Sequence, residues 1–510
     1  MKTIFAFPFC YHDHNYFDGN IHIQEERYSK IKHNVKEDPV KPFCIKFSKK
    51  YLKLGNNYDI IATQASSQFY NNFEDTNMNK DMRKFMEWTP KYLWDFKFNG
   101  KLYYIDHHQS HAAYAFLTSK YEESDILAID GSGRKFKTIF IQKNGLIIDL
   151  SKELKIGKLW ELISRTSNFG RFSEGKLMGY SAFGSFNKIY YNRFEKIVKD
   201  KDIQKFDILS KKYLNGFLTN KETLDYAYTL QQYTIDKVLK YILPLKTSKN
   251  LCITGGVAYN GYLNEELLKF WENVHIPPAA GDEGQSLGCY MHCDYIMNKR
   301  IKNITPYNGL EYDLSNLNKY ETNKLTIKKS DNLYQEIAQE IANGKVIGWF
   351  QGRSESGNRA LGNRSILADP RNPNIKDYIN KKIKMREDFR PFAPAVLEEN
   401  FKEYFNTTIP SPYMSRIVKT TNKAKKEIPG VIHIDGTARF QSVTKKFNLK
   451  FYNLIKEFYI LTGVPVLLNT SFNSQEPIVE SPQDAINTFR KTKLDILVID
   501  NYIITKVNNG

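Results

Sequence analysis

GRSESGNRALGNRSILADPRNP, residues 352–373, follows an apolar, strand-like run over residues 346–350 and sets four arginines, Arg353, Arg359, Arg364 and Arg371, among small residues. Arginine offers a planar fork of donors that pairs with phosphate or carboxylate oxygens. Glycine and serine let the backbone come close enough to add its own N–H groups. A strand that opens into such a loop has the make-up of an anion pocket. The plainer reading is an exposed basic loop whose charges are solvated.

Downstream stand REDFRPFAP (386–394), DGTARFQSV (435–443) and GVPVLLNTSFN (463–473). Arg353, Arg359, Arg364, Arg386 and Arg390 could together neutralise a polyanion in a sheltered volume, with Ser365, Asn469, Thr470 and Ser471 as hydrogen-bonding partners. The elements expected here are a helix over 333–343, a pattern through 376–384, 431–434 and 464–468, and a last strand over 496–504. Between about residues 303 and 331 periodicity fades into Asn, Lys and Thr, which places a domain boundary between 1–320 and 330–510. The first part alternates strand-like runs (125–129, 138–141, 251–253) with helical patterns such as 225–243, which predicts α/β layers. No repeat of fixed period is visible.

DHHQSHAA (106–113) places His107 and His111 four residues apart, so that on a helix both imidazoles project from one face at metal-ligand spacing. A histidine pair alone is more often structural, satisfied by backbone groups. Two acidic glycine turns shift that balance: Asp130 in AIDGSG follows a strand, and Asp282 in GDEG follows Pro277 and Pro278. Two histidines and two aspartates suit a divalent metal with mixed N and O ligation, such as Fe, Mn or Zn. His108 reads as a neighbour of the ligands or a substrate contact rather than a third ligand. EGKLMG (174–179) and GGVAYN (255–260) carry glycines that let backbone approach a nucleotide closely, or else form ordinary tight turns.

At 510 residues the chain exceeds what one core usually serves, and 41% hydrophobic residues with 33 Phe and 33 Tyr can bury more than one. No run approaches the roughly 18 apolar residues of a membrane helix, and the run over 4–10 is broken by Pro8, so it reads as a first buried strand. The five cysteines, Cys10, Cys44, Cys252, Cys289 and Cys293, include no CxxC pair, which points to a reducing, cytoplasmic compartment. Cys289 and Cys293, one helical turn apart, read as small residues on a packed helix face. The net charge of +18 suits contact with nucleic acid, although an AT-rich genome would also enrich lysine. Lysine-rich runs at 49–53, 199–212 and 423–426 read as solvated faces that could also line a nucleic-acid groove.

These ordered blocks resemble the signature of the NodU/CmcH family of O-carbamoyltransferases, which includes the antibiotic-modifying TobZ, over about residues 1–505. The resemblance implies an actin-like, TsaD-like N-terminal domain holding iron on His107, His111, Asp130 and Asp282, with Glu174, Lys176, Gly255, Gly256 and Asn260 as nucleotide contacts. It implies a YrdC-like C-terminal domain that joins carbamoyl phosphate and ATP, with Mg2+ accompanying ATP, into carbamoyl adenylate. The adenylate would then reach the metal site, where an acceptor hydroxyl attacks. A homodimer is also compatible with it. His12 and Asp13 resemble the family's opening HD, and EERYSKIKH (25–33) its next block. His14, His108 and Asp13 are the candidates for handling the hydroxyl proton. The chain departs from the family at Arg134, where an acidic residue is usual, and at His14, Asn15 and Tyr16, where smaller ones are. Both departures bear on the acceptor.

If the basic charge is functional, the acceptor is DNA. Its internal sugar hydroxyls are already esterified, so the free hydroxyl would belong to a modified base such as 5-hydroxymethylcytosine, as in viral DNA hypermodification, in a host cytoplasm if the source is viral. A flipped or single-stranded base held by aromatic residues would then be required. The alternative acceptors are a free hydroxymethyl nucleotide, or a sugar or small molecule of antibiotic or Nod-factor type. A scaffolding protein with a vestigial metal site would show decay of the anion-binding blocks, yet RALGNRSIL and NTSFN are intact.

Overall fold

Residues 2–8, 13–30, 32–34, 58–65, 101–131, 139–143, 146–149, 154–203, 205–320 and 324–507 are described by a computed structural model. Cys10, Cys44, His12, Arg134 and the lysine run 49–53 lie outside the described residues.

Among the described residues, the N-terminal half contains two five-stranded sheets. The first runs His22–Gln24, Asn15–Phe17, Ile4–Pro8, Ile60–Ala65, Lys101–Asp106, and the second Leu146–Asp149, Ile139–Lys143, Ser124–Ala128, Asn250–Thr254, Asn273–His275. In each sheet the last three strands are parallel and the first two are antiparallel additions. One topology is therefore used twice. The repeat has no fixed period because the corresponding connections differ in length: residues 25–59 join the third and fourth strands of the first unit in chain order, and residues 150–249 those of the second.

The helices His107–Ser119 and Gln285–Asn298 share one core with both sheets, in which Ile4, Ala6, Ile60 and Ile105 meet Ala112, Tyr114, Leu287, Met291, Ile126 and Cys252. A helix apolar on most of its circumference must be buried on most of it. Gly288 permits their close approach, since a Cβ there would stand 2.2 Å from the Ser110 carbonyl oxygen. Cys289 and Cys293 pack into this core as free thiols.

The helical pattern of residues 225–243 lies in the helix Asn220–Ile242, started by a Thr219/Glu222 capping box. EGKLMG forms a helix, Glu174–Tyr180, rather than a turn.

From residue 325 on, the chain builds an eight-stranded mixed sheet in the order Leu325–Lys329, Tyr502–Lys506, Ile496–Ile499, Ile347–Phe350, Arg364–Ala368, Val466–Ser471, Ala393–Leu397, Gln441–Val443. Trp349, Phe440, Phe451, Phe458 and Leu467 fill its core. Two expected elements change. Residues 496–504 form a hairpin rather than one strand, turning at Asp500 with φ 50°, a conformation that aspartate tolerates better than most residues. Residues 376–384 divide between the helix Ile375–Ile379 and a wider turn, Asn380–Lys384, ended by Met385 at φ 47°. Among the described residues no helix is long and apolar enough to cross a membrane.

Candidate active site at the junction of the two halves

Asp106 ends a strand and caps the next helix, accepting from the His108 and Gln109 amides. This cap starts the helix at His107, so His107 and His111 occupy its first turns. Asp130 lies just past the strand Ser124–Ala128, and Asp282 opens the turn before the helix Gln285–Asn298. His107 Nε2 lies 2.9 Å from Asp130 Oδ2 and 3.4 Å from Asp282 Oδ1, and His111 Nε2 lies 3.3 Å from each. Thr254 Oγ1 stands 3.3 Å from His111 Nδ1. Gly255, at φ 87°, passes so close to Ile129 that a Cβ would stand 2.2 Å from its carbonyl oxygen, so the close approach requires glycine.

One ligand atom from each of these four residues lies within 4.8 Å of the others. Burial opposes a charge on His111, but hydrogen bonds to Asp130 and Asp282 outweigh it and push its pKa up to about 9. Burial likewise opposes the Asp130 carboxylate, and the two histidines outweigh that, holding it well below the usual range. Two imidazole nitrogens and two carboxylates in a sheltered spot fit a divalent cation.

Across the junction lies a group of cations. Lys384 is 1% exposed and its amine donates to Ser471 O, Ser471 Oγ (3.1 Å) and Asn473 Oδ1 (2.6 Å), none of them charged. Burial, then Arg386, Lys32 and Arg390, push its pKa well below the usual lysine range. Arg386 is pushed down to about 9 by burial and Arg390. Lys32, though it keeps exposed surface, is lowered by burial and by Arg390. Arg359 and Arg439 are half-buried and both lowered, by burial first. Concentrated positive charge with so little direct carboxylate pairing is stabilised by binding an anion.

Three of the four arginines in residues 352–373 are otherwise engaged. Arg353 donates to the carbonyls of Asn20, Asn308 and Gly309 and so ties the halves together. Arg364, 0% exposed, is the first residue of a central strand, donates to the carbonyls of Gln351, Gly352, Asn363 and Glu480, and stacks 3.5 Å over Phe350. Arg371 pairs with Asp369 at 2.6 Å. Arg353 and Arg364, expected as anion contacts, are held by protein carbonyls, and of the four Arg359 faces the cationic group. Ser365 Oγ accepts from the Gly362 amide, and Asn469 bonds Ala360 O and Gln441 Oε1. These two also shape the loop. Thr470 is half-buried beside Ser471, which touches Lys384.

Of the nucleotide candidates, Lys176 bridges to Glu387 at 3.0 Å, which sets the block with Glu174 beside Arg386 and Arg390. Gly255 and Gly256 lie at the turn beside Asp130. The Asn260 side chain accepts from the Leu263 amide and pairs with Gln231, so it caps the helix Gly261–Leu267. His14 stands 3.9 Å from Glu25, and His108 is 3% exposed, packed edge-on to His107. Asp13 pairs with His33 at 2.9 Å.

The two groups join through Tyr259. Arg359 lies 5.5 Å from its ring, Arg439 donates to its carbonyl, and its hydroxyl donates to Glu283, the neighbour of Asp282. Burial and then the charge of Asp13 push Glu283 up to about 7. Lys32, Lys384, Arg439, Tyr259 and Glu283 were not singled out from the sequence. Lys32, Arg439, Tyr259 and Glu283 did lie inside quoted blocks, and a lysine two residues before REDFRPFAP was the available signal for Lys384.

A carbamoyltransferase N-terminus model matches residues 22–291 and a carbamoyltransferase C-terminus model matches residues 338–506. The chain is 32% identical over 533 residues to nodulation protein NolNO of Sinorhizobium fredii (strain NBRC 101917 / NGR234), spanning 95% of this chain and 77% of that protein. It is 33% identical over 252 residues to nodulation protein U of the same organism, spanning 48% and 44%. It is 34% identical over 442 residues to an uncharacterized protein of Methanocaldococcus jannaschii, spanning 81% and 84%. Among solved structures, HypF of T. kodakarensis is similar at 11% identity and TM-score 0.32, over 59% of this chain and 49% of that one.

Proposed function

The chain belongs to the carbamoyltransferase family, and on that premise we propose that it is an ATP-dependent O-carbamoyltransferase acting on a hydroxyl of a small, sugar-like acceptor. Its donor substrates are carbamoyl phosphate and ATP. In the C-terminal half, taken as YrdC-like and beginning near residue 330, water cleaves carbamoyl phosphate to carbamate and phosphate, and the carbamate oxygen then bonds to the α-phosphorus of ATP as the bond to pyrophosphate breaks, giving carbamoyl adenylate. Lys384, Arg386, Arg390 and Arg359 neutralise the phosphates there, and Lys32 reaches in from the N-terminal half. The N-terminal half, whose doubled sheet topology supports an actin-like reading, receives the adenylate beside Glu174, Lys176, Gly255 and Gly256. The acceptor oxygen bonds to the carbamoyl carbon, the bond from that carbon to the adenylate oxygen breaks, and AMP leaves. His107, His111, Asp130 and Asp282 would hold a divalent cation, Fe2+ by family likeness, which when bound supplies Lewis-acid charge for the departing phosphate.

The observation that carries this reading is the unbroken contact from Arg359 through Tyr259 to Glu283, beside Asp282, which sets the cationic group and the four-donor cluster at one junction. A reactive intermediate made at one could be consumed at the other. Likeness to nodulation proteins favours a small acceptor over DNA. The charge of +18 is the main support for DNA, yet Lys212, Lys205 and Lys423 pair with Asp200, Asp202 and Glu403, as solvated faces do.

The test incubates the protein with ATP, carbon-labelled carbamoyl phosphate and Fe2+, offering glucose, fucose, chitotetraose, hydroxymethyl-dCMP and hydroxymethylcytosine DNA in parallel. Label in a sugar is the expected result. Label only in DNA or hydroxymethyl-dCMP would replace the acceptor, and no label in any of them, with no pyrophosphate release, would sink the reaction.

A further inference from the structure

We propose that His33, oriented by Asp13, is the base that takes the proton from the acceptor hydroxyl; this rests on the carbamoyl-transfer reading above. His33 Nδ1 lies 2.9 Å from Asp13 Oδ1, and the Asp13 amide donates to the His33 carbonyl at 2.8 Å. Glu26 accepts from the His33 amide at 2.8 Å. With Nδ1–H donating to a carboxylate, the imidazole lone pair is on Nε2, the arrangement of an oriented general base.

Three residues at this spot adopt left-handed backbone: Asp13 (φ 54°), His33 (φ 55°) and Phe172 (φ 58°). Phe172 stacks on the His33 ring at 4.6 Å and 22°. Each such non-glycine residue costs on the order of 1 kcal/mol or more, and this strain clusters where surrounding structure must hold a side chain in one place.

The position fits the task. Asn15 Nδ2 bonds both the Asp13 carbonyl (2.7 Å) and the Asp282 carbonyl (2.8 Å), which ties the pair to the four-donor cluster. The next residue toward the N-terminus, Lys32, belongs to the cationic group. The doubled topology adds a separate argument. Asp13 sits between Ile4–Pro8 and Asn15–Phe17, and Asp130 sits between Ser124–Ala128 and Ile139–Lys143, the same connection in the two units. Each presents its carboxylate to a histidine, Asp130 to His107 and Asp13 to His33. The side chain of His33 keeps 35% of its surface exposed, whereas His108 is 3% exposed.

In the transfer step the acceptor O–H proton passes to His33 Nε2 as the O–C bond forms, and AMP leaves with the electron pair of the broken C–O bond. The experiment compares full-length wild type, His33→Gln and Asp13→Asn for three rates: pyrophosphate release without acceptor, carbamoylation of the sugar panel above, and carbamoylation of hydroxylamine, which attacks without base assistance and yields hydroxyurea. His33→Gln is expected to keep the first and third rates within about 3-fold and to lower sugar turnover about 10²–10³-fold with little change in KM. Asp13→Asn is expected to lose less. Free imidazole is expected to restore part of the sugar turnover of His33→Gly. Unchanged sugar turnover, or an equal fall in all three rates, would overturn the proposal, and so would a loss that excess Fe2+ restores, since Asp13, Glu26 and His33 would then be a ligand set. A wild type that labels no acceptor and releases no pyrophosphate overturns the underlying reading, and the role of His33 with it.

Discussion

The four-donor cluster and the cationic group sit at one junction and solve opposite electrostatic problems. His107, His111, Asp130 and Asp282 bring both signs of charge within 4.8 Å and satisfy one another by hydrogen bonds. Lys32, Lys384, Arg386, Arg390, Arg359 and Arg439 depress one another, and the most buried of them touches only neutral groups. A balanced cluster holds its geometry by itself and awaits a cation. An unbalanced one stores repulsion that an arriving polyanion relieves.

The contrast breaks most sharply in the overall reaction. His111→Ala, or chelation of the wild type, should lower carbamoyl transfer on the order of 10²–10³-fold while pyrophosphate release persists. Loss of both rates together would mean that the two groups are not separate half-sites. Lys384→Met should do the reverse. Pyrophosphate release falls about 10²-fold, and transfer from chemically prepared carbamoyl adenylate survives. Survival of pyrophosphate release would place the phosphates elsewhere.

Arg364→Met tests the difference between arginines that wait for an anion and those that hold the loop. Its carbonyl partners lose their donor in a fully buried place, so stability should fall about 3 kcal/mol by urea unfolding, with KM for carbamoyl phosphate changing under about 3-fold. A selective rise in KM would return Arg364 to the anion site. The smallest effect separates two kinds of histidine. His22 is 3% exposed, and burial and then Arg27 lower its pKa to about 3, whereas carboxylates raise that of His111. The unfolded chain binds a proton at His22 near pH 6.5 and the folded one does not. Its stability contribution is therefore present above pH 6.5 and lost as pH falls, by about 2 kcal/mol at pH 5. Urea midpoints of wild type and His22→Gln at pH 7 and 5 should show the variant less acid-sensitive, and equal acid losses would refute this.

The four-donor cluster was legible because its chemistry leaves a local trace. Two histidines four apart share a helix face, and an aspartate beside glycine after a strand marks a turn. The cationic group was half legible. Its arginines were visible as a class, but whether a guanidinium meets a ligand or a carbonyl depends on where the backbone of another segment passes. Arg353 reaches Asn20, and Arg364 reaches Glu480 O, across separations that no local pattern reports. His33 stands in the quoted block EERYSKIKH, but its pairing is not visible there, since its partner Asp13 is twenty residues away. The hairpin over residues 496–504 turns at Asp500 and Asn501, a polar pair between two short apolar runs that reads as one strand only if the turn signal is passed over.

By itself the sequence determined the α/β class, the metal-type spacing of the His and Asp cluster and a family resemblance that the matching models bear out. These follow from alternation, spacing and residue chemistry, all of them local. Tertiary structure decided which arginines are spent on carbonyls, that one sheet topology occurs twice, and that Asp13 meets His33. Each is a contact between chain segments far apart in sequence, fixed by how the sheets and helices pack rather than by any residue's neighbours along the chain.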